Sequence, residues 1–236
     1  MSDIYKLPWW IKINRSIMRP AFRALFHILG KVELYGMENI PDHNRYVIVF
    51  NHVSMVEIPL IAAFWPRSVE IIGADVVWER RGVHIIAKLW SAVRVKRTEF
   101  DREVFKQVSK VFEADRTLMI SPEGTRSHTP GLARGKSGVA YIIDSSNVEI
   151  VPVGVVGNTM EFLSKGLRGE RPPIQMYVGE PFRLPPLKGK GAERRALRQY
   201  HTDYIMAKVA ALLPESYRGV YKDYEKILAG ERVKFD

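Results

Sequence analysis

The stretch Tyr46–Glu57, YVIVFNHVSMVE, runs from an apolar segment directly into a group of polar residues. The apolar segment Tyr46–Phe50 is rich in β-branched and aromatic side chains, which predicts a short strand. The polar residues that follow include Asn51, His52 and Glu57, and a helical pattern can begin close to Glu57. Such a step from strand to helix is typical of an α/β protein.

The same alternation continues through the rest of the chain. Segments that predict strands are Lys31–Tyr35, Tyr46–Phe50, Val69–Gly73, Val93–Val95, Thr117–Ile120, Val148–Val155 and Ile174–Val178. Helical patterns are clearest at Arg102–Ala114, Ser137–Asp144 and Ala192–Leu213. We therefore expect one α/β domain over residues 31–236, with a central mostly parallel or mixed sheet flanked by helices and with further helices at its C-terminal end.

Residues 1–30 differ from the rest because large apolar groups are mixed there with basic residues. The basic residues are Lys6, Lys12, Arg15, Arg19 and Arg23. Apolar residues at helical spacing predict amphipathic helices, and Pro20 is expected to divide them into a hairpin of two short helices. Trp9 and Trp10 suit the headgroup region of a bilayer, so the hairpin is predicted to dock on a membrane. The alternative is a hairpin that only packs on the core.

Composition narrows the choice of partners without deciding it. The chain has 236 residues and a net charge of +10, which favours nucleic acid, an anionic membrane surface, or phosphorylated and CoA-like substrates. Cysteine is absent, which excludes thiol nucleophiles, disulfides and Cys-ligated metals. No cleavable signal is recognisable, and charged residues interrupt every apolar segment before it reaches the length of a spanning helix. We expect a peripheral or monotopic protein that does not cross the membrane.

His52 and Glu57 form the first candidate site. On a regular helix they would not share a face, but they can meet if His52 lies in the turn and Glu57 in the first helical turn. A carboxylate would then orient an imidazole that takes a proton from a hydroxyl. The alternative is a capping box over Ser54–Glu57, in which Glu57 only satisfies a backbone N–H. Pro59 argues against that register, because a helix that began so early would place it past the first turn.

The second candidate site is Ser121–Ser127, SPEGTRS, which follows the predicted strand Thr117–Ile120. Pro-Glu-Gly-Thr is turn chemistry, and a plain turn is the simplest interpretation. The turn also carries Arg126, and Arg134 and Lys136 follow it. Arginine offers a bidentate fork for phosphate and lysine adds a point charge, so this loop is a candidate site for an anionic headgroup.

Together these segments resemble the glycerolipid acyltransferase family, which includes the 1-acylglycerol-3-phosphate acyltransferases. The family's Asn-His-x4-Asp block is similar to Asn51, His52 and Glu57, with Glu in place of Asp. Its second block resembles Ser91–Arg97, SAVRVKR, and its third, Phe-Pro-Glu-Gly-Thr-Arg-Ser, resembles the segment from Pro122 to Ser127. Its Val-Pro-Val strand resembles Ile150–Val153, so four blocks occur in the family's order.

The resemblance implies an O-acyltransferase of phospholipid biosynthesis on the cytoplasmic face of a membrane. His52, oriented by Glu57, would act as general base on the hydroxyl of a lysophospholipid such as lysophosphatidic acid. That hydroxyl would attack the thioester of acyl-CoA or an acyl carrier protein. The residues that would hold the acceptor are Arg97, Glu123, Gly124, Thr125, Arg126 and Lys136. The resemblance implies no metal or other cofactor.

Two alternatives stay open from the sequence. One keeps acyl transfer but changes the acceptor to a lipid with another head or to a polyol. The other is a non-catalytic basic module that binds lipid. Nucleic acid is not expected as a partner, because the chain lacks the interleaving of aromatic and basic residues that a base-stacking surface needs.

Overall fold

The computed structural model describes residues 5–74, 76–79, 82–95, 102–231, 233 and 235. The strands are β1 (Lys31–Tyr35), β2 (Tyr46–Phe50), β3 (Glu70–Ala74), β4 (Val93–Val95), β5 (Leu118–Ile120), β6 (Glu149–Val156) and β7 (Pro173–Val178). The helices are α1 (Trp9–Leu29), α2 (Glu57–Phe64), α3 (Val76–Glu79), α4 (Val83–Trp90), α5 (Arg102–Glu113), α6 (Gly138–Ser146), α7 (Phe162–Leu167), α8 (Gly191–Ala210), α9 (Glu215–Arg218) and α10 (Tyr224–Leu228). Short 3₁₀ turns lie at Met37–Asn39 and Gly219–Tyr221.

Within the described residues the strands form one mixed sheet in the order β1-β7-β6-β2-β5-β3-β4. The five strands from β6 to β4 are parallel, and β7 is antiparallel to β6 and parallel to β1. Strand β2 lies in the middle, and all five of its residues are buried. A strand covered on both faces has to be apolar throughout, which explains its uninterrupted YVIVF sequence. The predicted α/β fold is confirmed.

Alternate residues of β2 belong to two hydrophobic layers on opposite faces of the sheet. Tyr46, Ile48 and Phe50 pack in the layer that includes residues of α1 and α2. Val47 and Val49 pack in the layer that includes residues of α5, α6 and α8. This alternation follows from the two-residue period of a strand. Both faces of the central strand are thus covered by helices. Polar residues that could take part in a reaction therefore lie in the loops at the ends of the strands.

The predicted N-terminal hairpin is wrong, because α1 is one continuous helix that contains Pro20. A proline inside a helix removes one hydrogen bond and costs about 3 kcal/mol or more. Pro20 is exposed, and arginines on both sides of it bond to the core. Arg15 Nε donates to the carbonyl of Trp90 at 2.9 Å, and Arg23 Nε donates to that of Ala63 at 2.7 Å. These contacts hold both halves in line.

A buried ion-pair network fixes the first half of α1 to the sheet. Arg15 donates to both carboxylate oxygens of Glu70, at 2.8 and 2.7 Å, and Arg116 donates to the same carboxylate at 2.5 Å. Burial alone would raise the pKa of Glu70, but the two guanidinium groups outweigh it and lower that pKa. Because Glu70 begins β3, the network lies at the amino ends of the parallel strands and joins α1 to the sheet.

Candidate active site

Three polar loops leave the sheet at the same edge. Strands β2, β5 and β6 are parallel, and β2 lies between the other two, so their carboxyl ends meet. Residues 51–56 follow β2, residues 121–137 follow β5, and residues 157–161 follow β6. Ligands of open α/β sheets bind in crevices at the carboxyl ends of strands. The two motifs singled out in the sequence are therefore neighbours in space.

Asn51 extends the pairing of β2 and β6 beyond the end of β2. Its side chain is completely buried. Its amide nitrogen donates to the carbonyl of Val155 at 2.8 Å, and its amide oxygen accepts the N–H of Val155 at 2.7 Å. The side chain replaces a backbone partner, so the chain can turn at His52 without leaving the buried groups of Val155 unpaired. Asn51 thus fixes the point at which the turn begins.

His52 lies in the turn and Glu57 is the first residue of α2, which is the arrangement that would let the two meet. Nδ1 of His52 is 3.9 Å from Oε2 of Glu57. This distance exceeds a hydrogen bond, but hydrogen bonds between catalytic groups are often long before substrate binds. The side chain of His52 is 15% exposed and that of Glu57 is fully buried, so only the imidazole can reach a substrate. Pro59 falls in the first helical turn, where it is tolerated.

The Glu57 carboxylate is held by donors from two loops. Its Oε1 accepts the N–H of Val53 at 2.5 Å, the N–H of Ser54 at 2.7 Å and the side-chain amide of Asn158 at 2.7 Å. Burial alone would raise the pKa of Glu57, but His52 and the N–H of Ser54 outweigh it and lower that pKa. The bond to Ser54 is one half of the capping-box alternative. The carboxylate therefore caps the turn through Oε1, while Oε2 lies toward His52 and accepts the Ser54 hydroxyl at 3.3 Å.

Glu123 is buried, whereas Gly124 and Thr125 of the same motif are exposed. Its side chain is buried, and its two oxygens accept the N–H groups of His52 at 2.8 Å and Ala133 at 2.9 Å. Burial raises the pKa of Glu123 to about 7, although both N–H groups act in the opposite direction. Because both oxygens accept backbone N–H groups of neighbouring segments, we infer that Glu123 holds the His52 turn. The contact with the acceptor that the resemblance implies for Glu123 stays a prediction.

Replacing Glu123 by glutamine should change how stability depends on pH. A carboxyl whose pKa is raised in the folded state stabilises that state fully below its unfolded pKa, and the contribution is lost as the pH rises through about 7. The difference in unfolding free energy, wild type minus Glu123→Gln, should therefore fall by up to about 3 kcal/mol as the pH rises from about 4.5 to about 7.5. Urea unfolding at several pH values measures this, and a constant difference contradicts the prediction.

The loop after β5 is joined to the His52 turn along its backbone. The N–H of Ser127 donates to the carbonyl of His52 at 2.9 Å, and the N–H of Lys136 donates to that of Pro122 at 2.8 Å. Gly124 has a φ of +66°, and a Cβ there would lie 3.1 Å from the side chain of Lys136. Thr125 and Lys136 are exposed and Arg126 is half-buried. The loop therefore brings Arg126 and Lys136 to the same edge of the sheet as His52.

Arg97 and Arg134 are not among the basic residues that the structure shows on this part of the loop. Arg97 lies outside the described residues, so its predicted role stays a prediction. Arg134 pairs with Asp203 at 3.2 Å and lies over the ring of Phe235, with 4.5 Å between the guanidinium carbon and the ring centroid. Its contacts are with the C-terminal part of the chain. Of the basic residues predicted for the acceptor site, Arg126 and Lys136 thus lie on the loop that is bonded to the His52 turn, and their role in binding stays a prediction.

Comparison with known proteins identifies the family of this chain. A family model described as "Acyltransferase" matches residues 31–156, which run from β1 to the end of β6 and include both motif loops. The chain belongs to the acyltransferase family. Its sequence is similar to O-acyltransferases of phospholipid biosynthesis. The 1-acyl-sn-glycerol-3-phosphate acyltransferase of Cocos nucifera is 28% identical over 229 residues, which cover 92% of this chain and 70% of that protein.

Two further relatives extend the comparison. The alpha form of 1-acyl-sn-glycerol-3-phosphate acyltransferase from Mus musculus is 28% identical, with 75% of this chain and 62% of that protein covered. The crystal structure of the 1-acyl-sn-glycerophosphate (LPA) acyltransferase PlsC from Thermotoga maritima matches 95% of this acyltransferase and 81% of that chain, with a TM-score of 0.57 and 21% identity. At that identity the likeness supports the fold alone.

Asn158 is the site residue that sequence reasoning missed. It is completely buried beside Glu57 and belongs to none of the motifs. The available signal was its position three residues after the end of the predicted strand Val148–Val155, at the edge where the other two motifs also follow strands. That position alone could not show whether the side chain lies inward or outward.

Proposed function

We propose that this acyltransferase moves a fatty acyl group from acyl-CoA or an acyl carrier protein to the free hydroxyl of a lysophospholipid such as lysophosphatidic acid. The observation that carries the proposal is the pairing of a partly exposed His52 with a buried Glu57, 3.9 Å apart. The loop that carries Arg126 is bonded to the same turn through Ser127 and His52. The proposed base and the cations proposed to bind phosphate thus lie on two loops that are bonded to each other.

In the proposed reaction, neutral His52 takes the proton of the acceptor hydroxyl as the oxygen attacks the thioester carbonyl. The C–O bond forms and a tetrahedral intermediate results. Its collapse breaks the C–S bond, and the imidazolium returns the proton to the departing thiolate. Glu57 stabilises the imidazolium without taking its proton, because a buried carboxylate beside the ring favours the charged form. The sum is an ester and a free thiol, with no net change in protons.

The acceptor's identity is tested by a product survey. Purified protein is incubated with a panel of lysolipids and polyols, each with acyl-CoA or acyl carrier protein, and the products are identified by mass spectrometry. We expect the diacyl product of lysophosphatidic acid to dominate, because Arg126 and Lys136 suit a phosphate monoester. A dominant product from an uncharged acceptor would favour the alternative acceptor. Lipid binding with no acyl product from any pair would favour the non-catalytic module.

Arg126 is expected to act in binding the phosphate. Arg126→Ala should raise the KM for a phosphate-bearing acceptor by about tenfold to a hundredfold, since hydrogen bonds to charged groups contribute about 1.5–3 kcal/mol. Arg126→Lys should recover only part of this loss, because the bidentate fork is gone. Steady-state kinetics with the acceptor varied measure both. If the two variants change turnover and leave KM alone, Arg126 has another role.

We further propose that α1 docks the enzyme on an anionic membrane surface. Large apolar side chains of α1 are exposed although the helix packs on the core, namely Trp9, Trp10, Ile13, Ile17, Leu25 and Ile28. Exposed apolar residues also occur on α4 and α7, which both contact α1. Among the described residues, no helix combines the length and apolar character that crossing a membrane requires. The cytoplasmic face stays a prediction.

Membrane docking can be tested without removing α1, whose buried residues belong to the core. Ile17→Glu and Ile28→Glu together replace side chains that are 62% and 68% exposed, so folding should be unaffected. Binding to phosphatidylglycerol-containing vesicles should fall at least tenfold, because apolar insertion is lost and negative charge is added. For the wild type, added salt should weaken binding without abolishing it. Val220→Glu, at an exposed valine outside α1, is the matched control, and equal binding by all three proteins contradicts the proposal.

A further inference from the structure

We propose that Asn158 is a positioning residue for the reaction, acting through Glu57 on the general base His52. The inference rests on the proposed function of the His52–Glu57 pair. Asn158 lies in the loop after β6, outside the segments that resemble the family's motifs. It is 101 residues from Glu57 in sequence, and its side-chain amide donates to Oε1 of that carboxylate at 2.7 Å.

The position of Asn158 is closely determined by its neighbours. The preceding Gly157 has a φ of +84°, and a Cβ there would lie 2.2 Å from the carbonyl oxygen of Pro173. The N–H of Gly157 donates to the hydroxyl of Tyr217 at 2.9 Å. Val155 is fixed to Asn51 by two hydrogen bonds. The chain therefore reaches Asn158 with its direction set by β2, β7 and α9, and the amide is held in a definite place.

The bond from Asn158 orients the Glu57 carboxylate. The other two donors to Oε1, the N–H groups of Val53 and Ser54, come from the same turn as Glu57 and would move with it. Asn158 is the donor from another strand's loop, so it ties the carboxylate to the sheet. With Oε1 held by three donors, Oε2 lies beside Nδ1 of His52 and also accepts the Ser54 hydroxyl at 3.3 Å. A donor to a carboxylate also favours its charged form, which the mechanism requires.

The unused half of the Asn158 amide argues against a purely stabilising role. The side chain is completely buried, and its Oδ1 has no hydrogen-bond partner among the described residues. A buried carbonyl oxygen without a partner is destabilising, so an apolar side chain of similar size would suit a merely structural position. The retained amide is explained if its donor is needed by Glu57.

The test compares Asn158→Leu and Asn158→Asp with the wild type. Leucine removes the donor at similar volume, and aspartate replaces it with a second carboxyl at nearly the same shape. The titratable groups around Glu57 are His52, Glu123 and Tyr217, and the variants leave all three in place. We expect kcat/KM to fall about tenfold to a hundredfold, the range for partners that orient a working group. The acidic limb of the pH profile reports proton uptake by the coupled His52–Glu57 pair. We expect it to move to higher pH, because a Glu57 carboxylate that has lost a donor makes the pair bind its proton more readily.

A double-mutant comparison separates positioning from structure. In a Glu57→Gln background, Asn158→Leu should cause less than about a threefold further loss, because its path to His52 is already broken. Thr117→Val is the control for lost buried hydrogen bonding, since it removes a bond of 2.7 Å to Asn44 at the other end of β5. It should lower the melting temperature without moving the acidic limb.

The outcomes are distinguishable. If the wild type forms no acylated product, the proposed function fails, and the inference about Asn158 fails with it. If the wild type is active and the acidic limb stays in place in both Asn158 variants, the positioning role is overturned. A full additional loss in the Glu57→Gln background overturns it as well. If Asn158→Leu does not fold, the isosteric Asn158→Asp decides the pH profile on its own.

Discussion

His52→Ala should fold normally and lose most of its acyl-transfer rate. The imidazole is the proton acceptor in the proposed reaction, and a positioned general base contributes about 10²–10⁴ in rate. Within the part of the chain that the structure describes, the contacts that fix the turn are made by the backbone N–H and carbonyl of His52 and not by its ring. The loss should therefore appear in kcat, with little change in the melting temperature. Single-turnover measurement of product with saturating acceptor and donor gives the rate directly.

The control for this prediction is His43→Ala. His43 is exposed and pairs with Glu149 at 3.1 Å, at the amino end of β6 and so at the opposite edge of the sheet. This variant should keep the wild-type rate. A well-folded His52→Ala protein that also keeps the wild-type rate would remove His52 from the mechanism.

Glu57→Gln should also lose most activity, for a reason specific to its contacts. Glutamine can keep its oxygen in the place of Oε1, where Val53, Ser54 and Asn158 donate. Its amide nitrogen then lies toward Nδ1 of His52 and can only donate. The ring must accept at Nδ1 and carry its proton on Nε2, which is the wrong tautomer for a base acting through Nε2. We expect a loss on the order of 10²–10⁴ in kcat.

The capping alternative makes a different forecast for the same variant. Loss of a cap costs about 1 kcal/mol of stability and leaves the chemistry alone. Thermal unfolding and kcat measured on one preparation distinguish the two. A protein that melts earlier but turns over at the wild-type rate would show that Glu57 serves only the turn.

Much of the fold was predictable because its signals are local. The strand Tyr46–Phe50 was predicted at the bounds the structure shows, since a strand buried on both faces is apolar at every position. The break at Pro20 was predicted from the same kind of local rule and was wrong. Arg15 and Arg23 reach carbonyl groups far along the chain, and no local pattern shows that such contacts outweigh one missing helix bond.

The candidate site was predictable in part for the same reason. His52 and Arg126 follow strands, and parallel neighbouring strands bring such residues to one edge. The inward position of Glu123 depends on the N–H groups of His52 and Ala133, which local sequence does not show. The bond from Asn158 to Glu57 depends on how β6 lies beside β2, a long-range pairing without a sequence pattern of its own.

The central claim is acyl transfer to a hydroxyl, and one measurement tests it most directly. The purified wild type is given acyl-CoA with lysophosphatidic acid, and separately with the same lipid in which hydrogen replaces the free hydroxyl. Mass spectrometry then quantifies diacyl product and free fatty acid. Transfer predicts a diacyl product from the first lipid, one free thiol for each ester formed, and no product from the second. Equal amounts of free fatty acid with both lipids, and no diacyl product, would show thioester hydrolysis and contradict the claim.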